Sequence, residues 1–575
     1  MASRRETRQC HDSDRERKGD RPLEPALPAR SPTLTLPAHA PWRRALAALL
    51  ALLTVAAPVA PAAAQVRLPS LGESASQDLP IGAERRLGDQ IMREARRDPE
   101  YLDDPVLLEY LQSIWSPLVA AARQVGNIDA DTDKAFAWEA FLVRDRSVNA
   151  FALPGGFVGA HLGLIAITTT RDQLAAVLAH ELSHVTQRHI ARSIAPQQQA
   201  SLVAIASLIL GVIAASRAGS SGVDMANAAI MGGQGAAIQQ QLNFSRDMER
   251  EADRVGYGLL ANAGFSPAGQ AAMFDRMDIA TRLNDSGGFP YLRSHPLTVD
   301  RISEARSRTL LLADVKPSVP TLLHALMQMR ARVLMDTSTQ GLQRLNGNTS
   351  SAALFDKVAA LYGGALAASQ LKDHARAERQ VALALQTAAT ASPRDPQAER
   401  VLRLLQAQVL LNAGDADGSL QTLNMLADGG TTRPAMLLRS QAALTQRRNA
   451  PQTEPATLRG SAESLQIWVA EQPQDAAAWE ALAATNDALG FKLRSMRAGA
   501  EARAVLGDLT GAIDRLRAAQ SFSRTAAGQD FIEASVIDAR LRQISNQRRQ
   551  LAAELRGERE RPDNRKPEPG DDPRP

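Results

Sequence analysis

The sequence is poor in cysteine, in aromatic residues and in net charge. Its one cysteine, Cys10, sits near the start of a 575-residue chain. Everything downstream lacks a thiol, which excludes disulfide staples and cysteine metal ligands there. Aromatic residues make up 4% of the chain, and Ala and Leu dominate the second half, so helices are favoured over sheets. Ten of the 66 Lys/Arg and six of the 62 Asp/Glu lie in residues 1–64, leaving 56 of each beyond. That balance argues against a strongly basic nucleic-acid surface, and no nucleic-acid partner is expected. Two apolar runs stand out, at 45–57 and 201–215. Both are short of the ~20 residues that a membrane-spanning helix needs.

At the N-terminus, "PWRRALAALLALLTVAAPVAPAAAQ" has Arg43 and Arg44 in front, an apolar core, and small residues ending at Ala64 before Gln65. This reads as a secretory signal peptide cut near Ala64-Gln65, preceded by a charged, Pro-rich extension. A periplasmic or otherwise secreted protein is expected, with an uncleaved anchor as the alternative. The run at 201–215, "SLVAIASLILGVIAA", reads as a buried helix, or as a mobile lid or peripheral membrane contact.

From Pro80 the pattern is helical. Asp104-Pro105 is a helix start, an N-cap acid followed by proline at the first position. Leu107, Leu108, Leu111, Ile114 and Trp115 then supply an apolar face. Residues 135–145 read as a strand, and 148–165 as strand, Pro-Gly-Gly bend and strand. The next helix starts at Thr170, which forms a capping box with Gln173. From about 320 to 545 the chain is almost wholly helical. Residues 475–519 carry Trp479, Gly490, Ala502, Gly507 and Ala512 at the small/large spacing of paired antiparallel helices, with weaker copies at 360–385 and 404–426. Residues 548–575 are charged and Pro-rich, and a disordered tail is expected.

The chemistry lies in "HELSHVTQRH", residues 180–189. His180 and His184 are four apart, so on a helix they share a face and can grip one Zn²⁺. Glu181, beside the first histidine, stands where a general base reaches a metal-held water. With Leu174 at zero and 100° per residue, Leu178, Leu182 and Val185 form one stripe at ~20–80°, and His180 and His184 fall at ~240° and ~280°. The pair is expected to face a cleft. His189 falls at ~60°, on the apolar stripe, and reads as a packed, hydrogen-bonded histidine. In "NFSRDMEREADRVG", Glu249 and Asp253 are again four apart, off the stripe of Phe244, Met248, Ala252, Val255 and Leu259. Glu249 is assigned to the metal and Asp253 to the second ring nitrogen of a ligand histidine; a solvated acidic face is the alternative. Glu251 lies ~160° from Glu249 and is a poor co-ligand. His295, before a proline on extended backbone, either stabilises the oxyanion or takes the fourth metal position as a reversible latch.

These residues resemble the M48 zinc metallopeptidases. The likeness rests on "VNAFALPGG" (148–156), "HELSHVTQRH", "SRDMEREAD" (245–253) and "HPLTVDRI" (295–302), in that order. It implies one Zn²⁺ held by His180, His184 and Glu249, with Glu181 as catalytic base. It also implies a substrate-pairing edge strand across Phe151, Ala152, Leu153, Pro154, Gly155, Gly156, Phe157 and Val158. The fold implied is an α+β zincin-like metallopeptidase domain, with helices and a small sheet, at 65–315. An all-α tetratricopeptide-repeat domain follows at 316–547. The activity implied is endopeptidase cleavage of misassembled outer-membrane proteins in periplasmic quality control, with the helical half as docking surface for substrate or assembly machinery. Two other readings remain open: an assembly chaperone whose metal site is mostly latched, and a membrane-anchored peptidase.

Overall fold

The structure, a computed structural model, describes residues 79–193, 245–283, 291–311, 316–347, 353–427, 429–452, 454–525 and 530–559. The expected signal peptide with its extension and the apolar run at 201–215 lie outside the described residues, as does Phe244. No described helix is long and apolar enough to cross a membrane.

The first helix, α1 (Ile81–Ala95), leads into a short strand β1 (Tyr101–Leu102) and then α2 (Pro105–Gln124). The expected cap is formed: Asp104 Oδ1 accepts the Leu107 N–H at 2.9 Å, and Pro105 opens the helix. Leu107, Leu111, Ile114 and Trp115 are buried, while Leu108 is half-buried. After α3 (Ala130–Ala135) come strands β2 (Glu139–Val143), β3 (Ala150–Leu153) and β4 (Phe157–His161).

The sheet order is β1-β2-β4-β3. β2 and β4 run parallel, with Phe141 opposite Gly159, and β3 returns antiparallel on the other side of β4, with Phe151 also opposite Gly159. The turn between β3 and β4 needs glycine: Gly155 and Gly156 have φ of +77° and +91°. A Cβ on Gly156 would also come within 2.8 Å of Phe136 Cβ. This corrects the edge strand expected across 151–158. Only Phe151, Ala152 and Leu153 lie on the edge strand. Pro154, Gly155 and Gly156 form the turn, and Phe157 and Val158 belong to β4, which is paired on both sides. The physical reason is the long-range β2–β4 pairing, which turns the second arm of the hairpin into an interior strand.

The chain continues through α4 (Leu162–Ile167), α5 (Arg171–Thr186), α6 (His189–Ser193), α7 (Arg246–Asn262), α8 (Ala268–Leu283), α9 (Tyr291–Ser294) and α10 (Val299–Leu311). The region beyond is all helical. It comprises α11 (Leu322–Met335), α12 (Thr339–Gly347), α13 (Leu354–Gln370), α14 (His374–Ala388), α15 (Pro396–Asn412), α16 (Ala416–Asn424), α17 (Arg433–Asn449), α18 (Ala456–Glu471), α19 (Ala476–Ala488), α20 (Lys492–Val505), α21 (Leu509–Thr525) and α22 (Phe531–Arg559). Consecutive helices pack on one another through this run. The expected repeat segments fall on α13–α14, α15–α16 and α19–α21. α22 overruns the disordered tail expected from 548 and stays helical to Arg559. Its Ala, Leu, Glu and Arg residues are good helix formers, and their helix propensity outweighs the charge that suggested disorder.

One hydrophobic cluster runs from Leu102 through α2 and α5 and on to Ala435. The sheet-bearing part and the helical region therefore share a core. Salt bridges reinforce the contact at the start of α2. Arg330 grips both Asp104 oxygens at 2.6 and 2.7 Å and donates to the Tyr362 hydroxyl at 2.8 Å. Arg400 holds Glu109 at 2.7 Å, and Arg433 holds Asp103 at 2.7 Å and Asp475 at 2.6 Å. Three successive parts of the helical region thus reach back to one acidic helix start.

Candidate metal centre and active site

α5 presents His180, Glu181 and His184. Its N-cap is Thr170, whose hydroxyl accepts the Gln173 N–H at 3.2 Å. The return bond expected of a capping box is displaced by one residue: Gln173 Oε1 accepts the N–H of Thr169, at 2.8 Å. The cleft expected in front of the histidine pair is also corrected. Exposures are 3% for His180, 0% for Glu181 and His184, and 2% for Glu249 and His295. Every residue from Gln173 to Val185 is buried, because α2, α7, α8 and β3 pack around α5.

α7 crosses α5 closely. A Cβ on Gly256 would stand 3.2 Å from the Ala179 backbone and the His180 nitrogen, so the absence of a side chain there sets the approach. Ser245 caps α7 by accepting the Met248 N–H at 3.2 Å. Glu249 and Asp253 are both buried, together with Ala252 and Leu259, while Met248 and Val255 are half-buried. The acidic pair thus lies on the packed side of α7, not on a solvated face.

The ligand atoms converge. Nε2 of His180 and Nε2 of His184 are 3.0 Å apart. Each lies 3.4 Å from a Glu249 oxygen. His295 Nδ1 is 2.8 Å from Glu249 Oε1 and 3.3 Å from His180 Nε2. One atom from each of these four residues lies within 4.8 Å of the others. Two imidazole nitrogens and a carboxylate facing one another in a buried space need a cation or a proton between them. The donor set of nitrogen and oxygen fits a divalent metal such as zinc. Both Glu181 oxygens are buried without a hydrogen-bond partner, as fits a group waiting for a ligand. His295 Nε2 lies 3.6 Å from Glu181 Oε1.

The surroundings set the charge. Burial opposes protonation of His180, but the Glu249 carboxylate and the Asp253 hydrogen bond outweigh it and push its pKa up to about 10. Burial drives His184 well below the ordinary histidine value, with the neighbouring His180 adding to the effect. The Glu249 carboxyl is costly to bury, yet His295 and His180 hold it far below the carboxylate range.

Beyond the ligand atoms, Asp253 Oδ1 lies 3.0 Å from His180 Nδ1. The same carboxylate is clamped by Arg301, at 2.6 Å through Nε and 2.9 Å through Nη2. Sequence reasoning passed over Arg301, although "HPLTVDRI" contains it; its place in that motif, six residues after His295, was the available signal. Tyr291 was also missed. Its ring stacks on His295 at 4.6 Å and meets His180 edge-on at 6.4 Å. Burial pushes its phenol well above the ordinary tyrosine value.

His189 departs from the continuous-helix arithmetic. α5 ends at Thr186 and Arg188 adopts φ of +52°. That left-handed residue is held by buried bonds from its guanidinium to Glu84 at 2.9 Å and to the Leu79 carbonyl at 2.5 Å. The chain restarts as α6, and His189 turns back to place its Nδ1 2.8 Å from His184 Nδ1. Burial lowers the pKa of His189 to about 4.

The model for peptidase family M48 matches residues 109–309. A putative beta-barrel assembly-enhancing protease of Vibrio cholerae is 39% identical over 259 residues, 44% of this chain and about half (51%) of that relative's length. The beta-barrel assembly-enhancing protease of Escherichia coli is 28% identical over 510 residues, 87% of this chain and 96% of the relative. Mitochondrial metalloendopeptidase OMA1 of Schizosaccharomyces pombe is 30% identical over 229 residues, 39% of this chain and 64% of the relative. The long match, over 87% of the chain, takes in residues of the helical region as well. Residues 109–309 are therefore a peptidase family M48 domain, and an all-helical region follows it.

Proposed function

We propose that the chain is a zinc-dependent endopeptidase of the cell envelope, acting on misfolded or misassembled proteins. The observation that carries this reading is the convergence of His180, His184 and Glu249 on one point, with the unpartnered Glu181 beside it. Zinc bound there would polarise the scissile carbonyl and acidify a water. Glu181 would act as the general base, taking a proton from the attacking water and giving it to the leaving amine. With the metal bound, Asp253, 3.0 Å from Nδ1 of His180, would hold the proton there and leave Nε2 as the ligand.

The edge strand β3 lies against α5 and has no partner on its outer side among the described residues. An extended substrate would add to it as a further strand. The helical region, read as degenerate tetratricopeptide repeats at 316–547, would dock substrates or an assembly machinery. The name of the Escherichia coli relative, a beta-barrel assembly-enhancing protease, supports outer-membrane proteins as that class. A periplasmic location, reached through the signal peptide read at 1–64, is part of the same proposal.

One observation favours a second reading, an assembly factor that is latched for most of its life. His295 Nδ1 stands at the fourth position of the ligand set, 2.8 Å from Glu249 and 3.3 Å from His180, where a water or substrate would have to enter. The test is zinc content and casein degradation for the wild type, Glu181→Gln and His295→Ala. Glu181→Gln should keep its zinc and lose proteolysis. His295→Ala should keep zinc and degrade casein faster. A zinc-free wild type would end the endopeptidase reading. Unchanged casein cleavage by His295→Ala would end the latch.

A further inference from the structure

His189 and Glu251 have no part in the chemistry above, although His189 sits against His184 and Glu251 against His189. A histidine that binds a metal through Nε2 carries its proton on Nδ1 and needs an acceptor there. His180 has Asp253. The Nδ1 of His184 faces the Nδ1 of His189 at 2.8 Å, with ring centroids 4.8 Å apart and the planes at 76°.

Two imidazole nitrogens at that distance share one proton. If the proton belongs to His184, His189 Nδ1 accepts it, and the proton of His189 lies on Nε2. That atom is 3.2 Å from Glu251 Oε2, which Arg192 Nη1 also holds at 3.0 Å. Every group in the chain His184, His189, Glu251, Arg192 then meets a partner of the right kind. The opposite placement moves the proton of His184 to Nε2, the atom that faces His180 and Glu249, and removes the lone pair a metal requires. The backbone supports the first arrangement. Arg188 is held in a left-handed conformation by Glu84 and Leu79, and this break directs the fully buried His189 ring at His184. Glu251 comes from the same helix as Glu249 and Asp253, so α7 serves both histidines as well as the metal.

We propose that His189, oriented by Glu251, is a positioning residue that fixes the tautomer of His184 and thereby the metal affinity of the site. The proposal rests on the reading that His180, His184 and Glu249 hold the metal.

The experiment measures zinc affinity of the full chain by competition with a chromophoric chelator, and the melting midpoints of metal-free and zinc-loaded protein. His189→Phe keeps a ring and deletes both nitrogens. Its zinc affinity should fall about 10–100-fold, the usual effect of losing such a partner. The gap between its two midpoints should shrink. His189→Gln offers a carbonyl to His184 and an amide to Glu251, and should recover most of the lost affinity. Glu251→Ala, at a half-buried position that tolerates truncation better, should weaken zinc in the same direction, and Glu251→Gln should not. This Glu251 pair carries the test if His189→Phe does not fold. A purely structural role would lower both midpoints together and leave the chelator constant alone. Wild-type zinc affinity in His189→Phe and Glu251→Ala overturns the relay while leaving the metal site standing. A wild-type chain that takes up no zinc overturns the metal reading and the relay with it.

Discussion

The Arg301 guanidinium grips both oxygens of Asp253, at 2.6 and 2.9 Å, and its third nitrogen lies 2.8 Å from Glu249 Oε2. The same Nη1 donates to the Pro296 carbonyl at 2.8 Å. One buried cation therefore ties the ligand helix α7 to the loop that carries His295.

Removing that cation leaves two carboxylates buried beside each other. Arg301→Gln is expected to destabilise the chain by about 3–5 kcal/mol, the usual cost of breaking a buried ion pair. Arg301→Lys should recover little, because an ammonium cannot reproduce the planar two-point grip. Urea unfolding of the metal-free protein measures both. A loss below about 1 kcal/mol, the scale of an exposed pair, contradicts the clamp.

Gly256 sets the spacing of α5 and α7. Gly256→Ala places a methyl 3.2 Å from the Ala179 backbone, and backbone gives way less readily than a side chain. The helices should part slightly, at about 1–3 kcal/mol. Glu249 rides on α7, so zinc affinity should fall along with the melting midpoint. A variant that retains wild-type zinc affinity would show that Glu249 reaches the site without this close approach.

Asp104 has two duties: it caps α2 and it neutralises Arg330. Asp104→Ala should cost more than the ~1 kcal/mol of a lost cap, because a buried guanidinium is left unpaired. Arg330→Met in the same background should cost little further. A double-mutant cycle reads the coupling, expected in the range of about 0.5–3 kcal/mol for groups in one network. Strict additivity of the two substitutions would remove Arg330 from the account of how the helical region is held.

The contact between Arg433 and Asp475 is predicted to be acid-sensitive. Burial alone would raise the Asp475 carboxyl, but Arg433 outweighs it and holds it below the ordinary carboxylate range. A carboxyl lowered on folding stabilises the folded state above its unfolded pKa, and the contribution disappears as pH falls through the folded value. The stability difference between wild type and Asp475→Asn should be full near neutrality and narrow below about pH 4, where the unfolded carboxyl begins to protonate. Denaturant titrations between pH 7 and pH 3 test this. A gap that is independent of pH would assign the contribution of Asp475 to its bond with the Ala478 N–H and not to its charge.

Much of the fold was legible because the signals are local. The Asp104-Pro105 start, the Pro-Gly-Gly turn and the Thr170 cap each depend on a few adjacent residues. So do the four-residue steps from His180 to His184 and from Glu249 to Asp253, which hold on any helix. The helical character of the second half follows from composition summed over long windows.

The failures share a different cause. His189 was placed on the apolar stripe because the arithmetic ran one helix through Arg188. The break there depends on Glu84, more than a hundred residues earlier. Phe157 and Val158 were placed on an edge because the parallel partner β2 is not part of the hairpin. The histidine pair was expected to face a cleft, and Glu249 of α7, Tyr291 and His295 stand against it.

By itself, the sequence determined the helix starts at Asp104 and Thr170, the helical character of the second half, and the spacing of His180, His184, Glu249 and Asp253. Tertiary structure decided the burial of the ligand set, the hold of Arg301 on α7, the turn of His189 toward His184 and the core common to both parts of the chain. Local propensity acts over a few bonds. These other features come from groups far apart in sequence, whose desolvation is tolerated only once a distant partner of opposite polarity or matching shape has arrived.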